Sequence, residues 1–231
     1  MAYNSLHKLN GNIAAIETAL KWRKGETLSP EDIECLKSYS GFGGIKAILY
    51  PAGDLDRWID DGVSKSDLAL HGDITRLHWL LQDHFSDKEY KSVLNSLRNS
   101  VLSAFYTPEF VAQTLYEVIS KAGIQPKRMY EPSAGAGVFA TGAARAFPDL
   151  QRIVCVEKDE LTGLILSAIN STLDVETKTH ICGLEQAPVD DNGTYDLVVS
   201  NIPFGNFGVY DTAFTSRELT GRIHNYFFAK G

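Results

Sequence analysis

One short segment of the sequence has residue types in an order that suits chemistry on an amino group. Residues 196–200, DLVVS, read as a buried strand, and Asn201, Ile202, Pro203 and Phe204 follow it directly. For an exocyclic NH2 group to attack, its lone pair must leave ring conjugation, and two acceptors promote this: the Asn201 side-chain oxygen and the Ile202 carbonyl. Pro203 favours an extended Ile202, which directs that carbonyl outward. The Phe204 ring offers a face on which a flipped base can stack.

This arrangement predicts methyl transfer to the NH2 group of a nucleobase. A methyl sulfonium donor is already a strong electrophile, so the reaction needs no general base of high pKa. The competing interpretation is an Asx turn followed by proline at the end of a strand, which requires no ligand.

A glycine-containing turn, EPSAGAG, follows an earlier apolar segment, RMY. Gly135 and Gly137 remove side chains where a ligand could approach the backbone, and a helix follows them. The third glycine of the dinucleotide-binding pattern is absent because position 140 is alanine. The turn therefore predicts a ligand other than a pyrophosphate, and a plain strand-to-helix turn is the alternative.

Two acidic residues stand at or beyond the ends of predicted strands. Glu157 ends RIVCVE, where a carboxylate can accept hydrogen bonds from the two hydroxyls of a ribose. The alternative for Glu157 is an exposed acid that caps the next helix. Residues 179–185, THICGLE, read as the third strand. Glu185 at its end could accept from an adenine amino group, or it could be an ordinary loop acid.

Two sites carry residues typical of helix starts. Ser29 and Pro30 precede acidic residues, which predicts an N-cap followed by proline at the first helical position. Thr107 and Pro108 predict the same arrangement at a second helix. Capping alone would account for both pairs.

The elements that must position these residues fall into two regions. The first hundred residues read as mainly helical and contain the glycine-rich segment YSGFGG, residues 39–44, which predicts a tight turn or a close backbone approach. From residue 126 strands and helices alternate, which predicts an α/β fold with a partial doubly wound, Rossmann-like parallel sheet. Glu131, Glu157, Glu185 and Asn201 then lie at the edge where such sheets bind ligands.

Composition narrows the class of protein. The chain has 231 residues, is 44% hydrophobic and carries a net charge of −7, so we expect no general binding of nucleic acid by its surface. No apolar run has the length of a membrane helix, and no signal-peptide pattern opens the sequence, so we expect a cytoplasmic protein without a membrane partner. Cys35, Cys155 and Cys182 lack CxxC spacing, and the histidines lack HxxxH spacing, so we expect no metal site.

Taken together, the motifs resemble those of the S-adenosylmethionine-dependent adenine-N6 DNA methyltransferases. SNIPF is similar to their catalytic (D/N/S)PP(Y/F) motif, EPSAGAG to their methionine-binding motif, VEKD to their ribose-binding motif, and FYTP to the motif before the core. The motif order is that of the γ-type enzymes, which include modification subunits of restriction systems. IHNYFFAKG resembles the helix after the catalytic loop, and YSGFGG with SNIPFG and HNYFF resembles large methylase–helicase proteins of conjugative elements and phages.

The resemblance covers about residues 100–231 and implies a class I methyltransferase core at 101–231 after a helical region at 1–100. It implies S-adenosylmethionine as the cofactor and DNA, with an adenine flipped from the duplex, as the partner. The implied catalytic residues are Asn201, Ile202, Pro203 and Phe204. The implied cofactor-binding residues are Tyr106, Thr107, Pro108, Glu131, Ser133, Gly135, Gly137, Glu157, Lys158 and Glu185.

The chain departs from the family pattern in two ways. Ile202 replaces the first proline of the catalytic motif, a change that keeps the required carbonyl. The sequence also supplies only about four of the seven strands of the family sheet. We therefore expect a piece of a longer enzyme with recognition and helicase domains, and an isolated chain that binds cofactor weakly and methylates DNA poorly or not at all.

Two other functions fit parts of the sequence. A glutamine methyltransferase that acts on a protein such as a release factor uses a similar motif, because a glutamine amide presents the same planar NH2 group. Phe204 in place of tyrosine, and FYTP before the core, favour DNA. A non-catalytic interaction module that retains the fold is the third interpretation.

Overall fold

The computed structural model describes residues 4–50, 52–103, 106–188 and 193–231. The chain divides into two compact units, Met1–Phe105 and Tyr106–Gly231. The helices of the first unit are α1 Ser5–Arg23, α2 Pro30–Lys37, α3 Leu55–Asp60, α4 Lys65–Leu68, α5 His71–His84 and α6 Asp87–Ser103, with a 3-10 turn at Lys46–Leu49. The second unit contains α7 Glu109–Lys121, β1 Arg128–Glu131, α8 Val138–Ala146, β2 Arg152–Glu157, α9 Glu160–Asn170, β3 Glu176–Ile181, a 3-10 turn at Leu184–Gln186, β4 Leu197–Val198, α10 Arg217–Thr220 and α11 Ile223–Lys230.

The predicted start of α2 is confirmed. The Ser29 hydroxyl accepts from the Asp32 backbone N–H at 3.1 Å, and the Asp32 carboxylate accepts from the Ser29 N–H at 2.9 Å. Pro30 occupies the first helical position. A backbone N–H at this position has no partner within the helix, so the absence of an N–H in proline costs no hydrogen bond. Local sequence therefore determines where this helix begins.

The YSGFGG segment forms a turn that α1 holds in place. Gly41 and Gly44 have φ values of 65° and 81°, which side-chain-bearing residues rarely adopt. Asn12 donates to the Gly41 carbonyl at 2.7 Å, and Lys8 donates to the Gly43 carbonyl at 2.9 Å. Phe42 between the glycines is fully buried. These contacts give the segment a structural role within the first unit.

The sheet of the second unit is parallel, with strand order β3-β2-β1-β4. Successive residues of a strand alternate between its two faces: Ile153 and Cys155 join the core beneath α7 and α8, whereas Val154 and Val156 join the core that contains α11. Helices thus cover both faces, and the predicted α/β, Rossmann-like fold class is confirmed.

Several predicted boundaries were wrong. Only Leu197–Val198 of the predicted strand 196–200 is regular, because β4 lies at the edge of the sheet and, among the described strands, pairs only with β1. The third strand runs over Glu176–Ile181 rather than 179–185, in register with the whole of β2. Helix α7 begins at Glu109, one residue later than predicted. Pro108 is its N-cap with an extended ψ of 142°, and Thr107 makes no capping hydrogen bond.

Candidate functional site

The carboxyl ends of three parallel strands bring the predicted site residues to one edge of the sheet. Glu131 ends β1, Glu157 ends β2, and Asn201 follows β4. Because β1 lies between β2 and β4, its end is flanked by the other two. The Ser200 hydroxyl donates to the Ser133 carbonyl at 3.4 Å, so the segment 201–204 departs from beside the turn that follows β1.

Glu131 lies at the centre of this edge and has an unmatched acceptor. Its side chain is buried, with 1% relative exposure, and its Oε2 has no hydrogen-bond partner among the residues that the structure describes. Burial and the nearby Glu157 carboxylate raise the pKa of Glu131 well above its ordinary value, although a hydrogen bond from the Ala140 N–H opposes this. A buried acceptor without a partner suits a cationic donor such as an ammonium group.

Glu157 holds the glycine turn to the end of β2. Its Oε2 accepts from the Gly135 N–H and its Oε1 from the Asp159 N–H, each at 2.8 Å. Burial raises the pKa of Glu157 to about 7, although these hydrogen bonds lower it. The cap of α9 is Asp159, which accepts from the Thr162 N–H at 2.7 Å, so Glu157 does not cap that helix. Since a carboxylate has about four lone-pair sites, Glu157 keeps capacity to accept from a further donor.

The two glycines of the turn have different roles. Gly135 has a φ of 55°, and a Cβ at this position would lie 3.5 Å from the Tyr106 ring, which therefore covers the turn. Tyr106 is held there by a hydrogen bond to Thr162 of 3.2 Å. Gly137 has a φ of 83°, and a Cβ there would lie 2.7 Å from Leu166 Cδ1. Gly137 thus permits close packing of α8 on α9, whereas Gly135 lets the Tyr106 ring lie over the turn.

Four predicted cofactor residues are not joined to this turn. Thr107 is half-buried, whereas Pro108 and Lys158 are exposed. The Glu185 carboxylate is folded against Gly183 in its own loop. Across the described parts of the chain, no hydrogen bond or ion pair connects any of the four with Glu131 or Gly135.

The predicted catalytic segment has one anchored side chain and two available ones. Ile202 packs against the cluster that contains Tyr226. Asn201 is half-buried, and its amide has no hydrogen bond to any residue that the structure describes. Pro203 is half-buried, and Phe204 is 73% exposed. The amide and the ring are therefore both free to meet a ligand.

Sequence reasoning missed a buried polar group beyond this segment. Asp211 accepts from Tyr226 and Lys230 of α11. Tyr226 and Lys230 are four residues apart and so share a helix face, but nothing in the sequence indicates that Asp211 is their partner.

Comparison with known proteins gives partial matches. No protein-family model matches the chain. A segment of 65 residues is 40% identical to Type II methyltransferase M.XamI of Xanthomonas campestris pv. amaranthicola, covering 28% of this chain and 12% of that protein. A segment of 105 residues is 32% identical to Defense against restriction protein B of Escherichia phage P1, covering 45% of this chain and 4% of that protein. The matches thus span a small fraction of both relatives.

Solved structures give similarities of lower sequence identity. One is a Vibrio vulnificus protein assigned as the modification subunit of a type I restriction enzyme, with 15% identity, coverage of 98% of this chain and 60% of that chain, and a TM-score of 0.42. Another is a Listeria monocytogenes protein assigned as a class I S-adenosylmethionine-dependent methyltransferase, with 16% identity, coverage of 97% and 69%, and a TM-score of 0.46. The sequence match to M.XamI confirms the predicted resemblance to methyltransferases.

Proposed function

We propose that the second unit binds S-adenosylmethionine at the ends of β1 and β2 and transfers its methyl group to the N6 amino group of adenine in DNA. The observation that carries this proposal is the contact between Ser200 and Ser133, which starts the segment 201–204 beside the turn that follows Glu131. A methyl donor on that turn and an amino group on that segment would be neighbours. Proximity of this kind supplies much of the acceleration in group transfer.

The residues at the sheet edge fit the cofactor chemically. The buried Glu131 Oε2, which has no partner among the described residues, is suited to the methionine ammonium group. Glu157, oriented by two backbone N–H groups, is suited to the ribose hydroxyls. Gly135 keeps a side chain out of the turn, over which the Tyr106 ring lies. When bound, the cofactor supplies an electrophilic methyl group on a cationic sulfur.

The segment after β4 fits a flat amino-bearing base. The free amide oxygen of Asn201 and the Ile202 carbonyl can accept the two N–H groups of adenine, and the exposed Phe204 ring can stack on the base. Holding the NH2 group in this way directs its lone pair at the methyl carbon. A proton then leaves the amine for solvent.

DNA recognition by a longer protein is part of the proposal. The net charge of −7 gives this chain little general attraction for phosphates. The chain matches only 12% and 4% of the lengths of its two curated relatives. We propose that other segments of a longer parent protein, including recognition and helicase domains, hold the DNA.

The test combines cofactor binding with product analysis. Calorimetric titration with S-adenosylhomocysteine should detect binding by the wild-type chain. Single-turnover incubation with S-adenosylmethionine and adenine-containing DNA, single- and double-stranded, at chain concentrations high enough to offset weak DNA binding, should yield a small but detectable amount of N6-methyldeoxyadenosine by nucleoside mass spectrometry. Asn201→Ala should retain binding and lose the product.

A protein release factor is incubated in parallel to test the glutamine alternative. Product on that protein and none on DNA would overturn the assignment of the substrate. Equal N6-methyldeoxyadenosine from wild type and Asn201→Ala would overturn the assignment of the site. Absence of S-adenosylhomocysteine binding would favour a non-catalytic module.

A further inference from the structure

The loop between β4 and α11 is fixed by a buried carboxylate. The Asp211 side chain is 4% exposed and accepts three hydrogen bonds. Its Oδ1 accepts from the Ala213 N–H at 2.8 Å, and its Oδ2 accepts from the Tyr226 hydroxyl at 2.7 Å and from Lys230 Nζ at 2.9 Å. One side chain of the loop is thus tied to its own backbone and to two positions of α11.

The ion pair in this network is shielded from water. The Lys230 side chain is 5% exposed, and its ammonium lies 5.9 Å from the centre of the Phe214 ring. A buried pair of this kind costs desolvation on both sides, and removal of one partner leaves the other uncompensated. The network therefore favours a single arrangement of the loop over alternatives that separate Asp211 from Lys230.

The core cluster to which Tyr226 and Phe227 of α11 belong also receives Ile202 of the predicted catalytic segment. Ile202, Val209 and Phe214 of the loop pack against a cluster that includes Tyr226 and Phe227. Tyr226 consequently contacts the loop through its ring and binds Asp211 through its hydroxyl. The apolar Ile202, which departs from the family motif, acts as one anchor of the loop, and Asp211 acts as the second.

We propose that Asp211, together with Tyr226 and Lys230, is a positioning residue that fixes the segment 201–204 for the target amino group. This inference rests on the proposed function. The network contacts neither Glu131 nor Glu157 within the described residues, so it acts on methyl transfer and leaves cofactor affinity unchanged.

The test compares Asp211→Asn, Tyr226→Phe, Lys230→Met and Lys230→Arg with wild type. Lys121→Met on the exposed face of α7 is the control for a lysine change. Hydrogen exchange measured by mass spectrometry on peptides from residues 199–216 and from β1 and β2 reports the two regions separately. Affinity for S-adenosylhomocysteine and the single-turnover rate of methyl transfer complete the set.

We expect Asp211→Asn to speed exchange of the loop at least tenfold and to slow methyl transfer at least tenfold, with S-adenosylhomocysteine affinity within twofold of wild type. Tyr226→Phe, which removes one hydrogen bond and keeps the ring, should give a smaller change of the same kind. Lys230→Met should slow methyl transfer as Asp211→Asn does, and Lys230→Arg, which keeps the charge, should retain part of the rate that Lys230→Met loses. Lys121→Met should match wild type in every measurement.

Two results would overturn the positioning role. The first is loop exchange and a methyl-transfer rate equal to wild type in both Asp211→Asn and Tyr226→Phe. The second is faster hydrogen exchange of β1 and β2, together with a loss of S-adenosylhomocysteine affinity as large as the loss of transfer rate. The second result would make the network a general stabiliser of the fold. If wild type binds S-adenosylhomocysteine and forms no methylated product, the proposed function fails, whereas the exchange measurement still decides whether Asp211 anchors the loop.

Discussion

Replacement of Glu157 by glutamine should flatten the dependence of sheet stability on pH. The pKa of Glu157 is raised from 4.5 to about 7 in the folded chain, chiefly by burial. Between pH 4.5 and 7, the Glu157 carboxyl stays protonated in the folded chain, whereas it loses its proton in the unfolded chain. The stabilisation from this group is therefore complete below about pH 4.5 and is lost as pH rises through 7.

The size of this effect follows from the shift in pKa. One pKa unit corresponds to about 1.4 kcal/mol, so Glu157 alone should lower the free energy of unfolding by about 2.5 kcal/mol between pH 5 and 8. Glu131 adds to the decline, because its pKa is also raised, by burial and by Glu157. Glu157→Gln should remove its own contribution and reduce that of Glu131, while a smaller decline remains.

Hydrogen exchange of peptides from β1 and β2, corrected for intrinsic rates, gives the opening free energy of the sheet at each pH. The glutamine variant loses one of the two backbone hydrogen bonds, so the slope against pH is the informative quantity. Glu117→Gln makes the same chemical change at an exposed position of α7 and should leave the slope unchanged. Parallel slopes for wild type and Glu157→Gln would refute the reasoning.

Three further predictions concern the cofactor site, the packing of α8 on α9 within the second unit, and the cap of α2 within the first unit. Glu131→Gln should weaken S-adenosylhomocysteine binding at least tenfold in calorimetry, because it removes a charge-assisted hydrogen bond to the ammonium group; unchanged affinity would exclude Glu131 from the cofactor site. Gly137→Ala should lower the free energy of unfolding of the second unit by about 3 kcal/mol, because its φ is 83° and its Cβ would lie 2.7 Å from a Leu166 methyl group. Urea denaturation followed by circular dichroism tests this against Gly53→Ala, where a Cβ meets open space; equal losses would contradict the packing role. Ser29→Ala should cost about 1 kcal/mol through loss of the capping hydrogen bond, measured by the fluorescence of the tryptophans, all of which lie in the first unit; no loss would exclude a stabilising cap.

The sequence determined the features that depend on neighbouring residues. Alternating strand and helix patterns predicted the α/β fold, and the Ser29–Pro30 pair predicted the start of α2, because backbone hydrogen bonding and capping act within a few residues. The glycine turn after β1 and the NIPF segment after β4 were recognisable for the same reason. The boundaries of β3, β4 and α7 were predicted wrongly, because partner strands and the extended Pro108 set them.

Only the tertiary structure decided how distant residues combine. Within the part of the chain that the structure describes, Glu131 Oε2 has no hydrogen-bond partner, Glu157 binds two backbone N–H groups, and the Glu185 carboxylate lies against its own loop. The tertiary structure also joins Asp211 to Lys230, 19 positions later in the chain. Burial and ion pairing depend on which distant segments come into contact in the folded chain. Local sequence patterns do not predict those contacts.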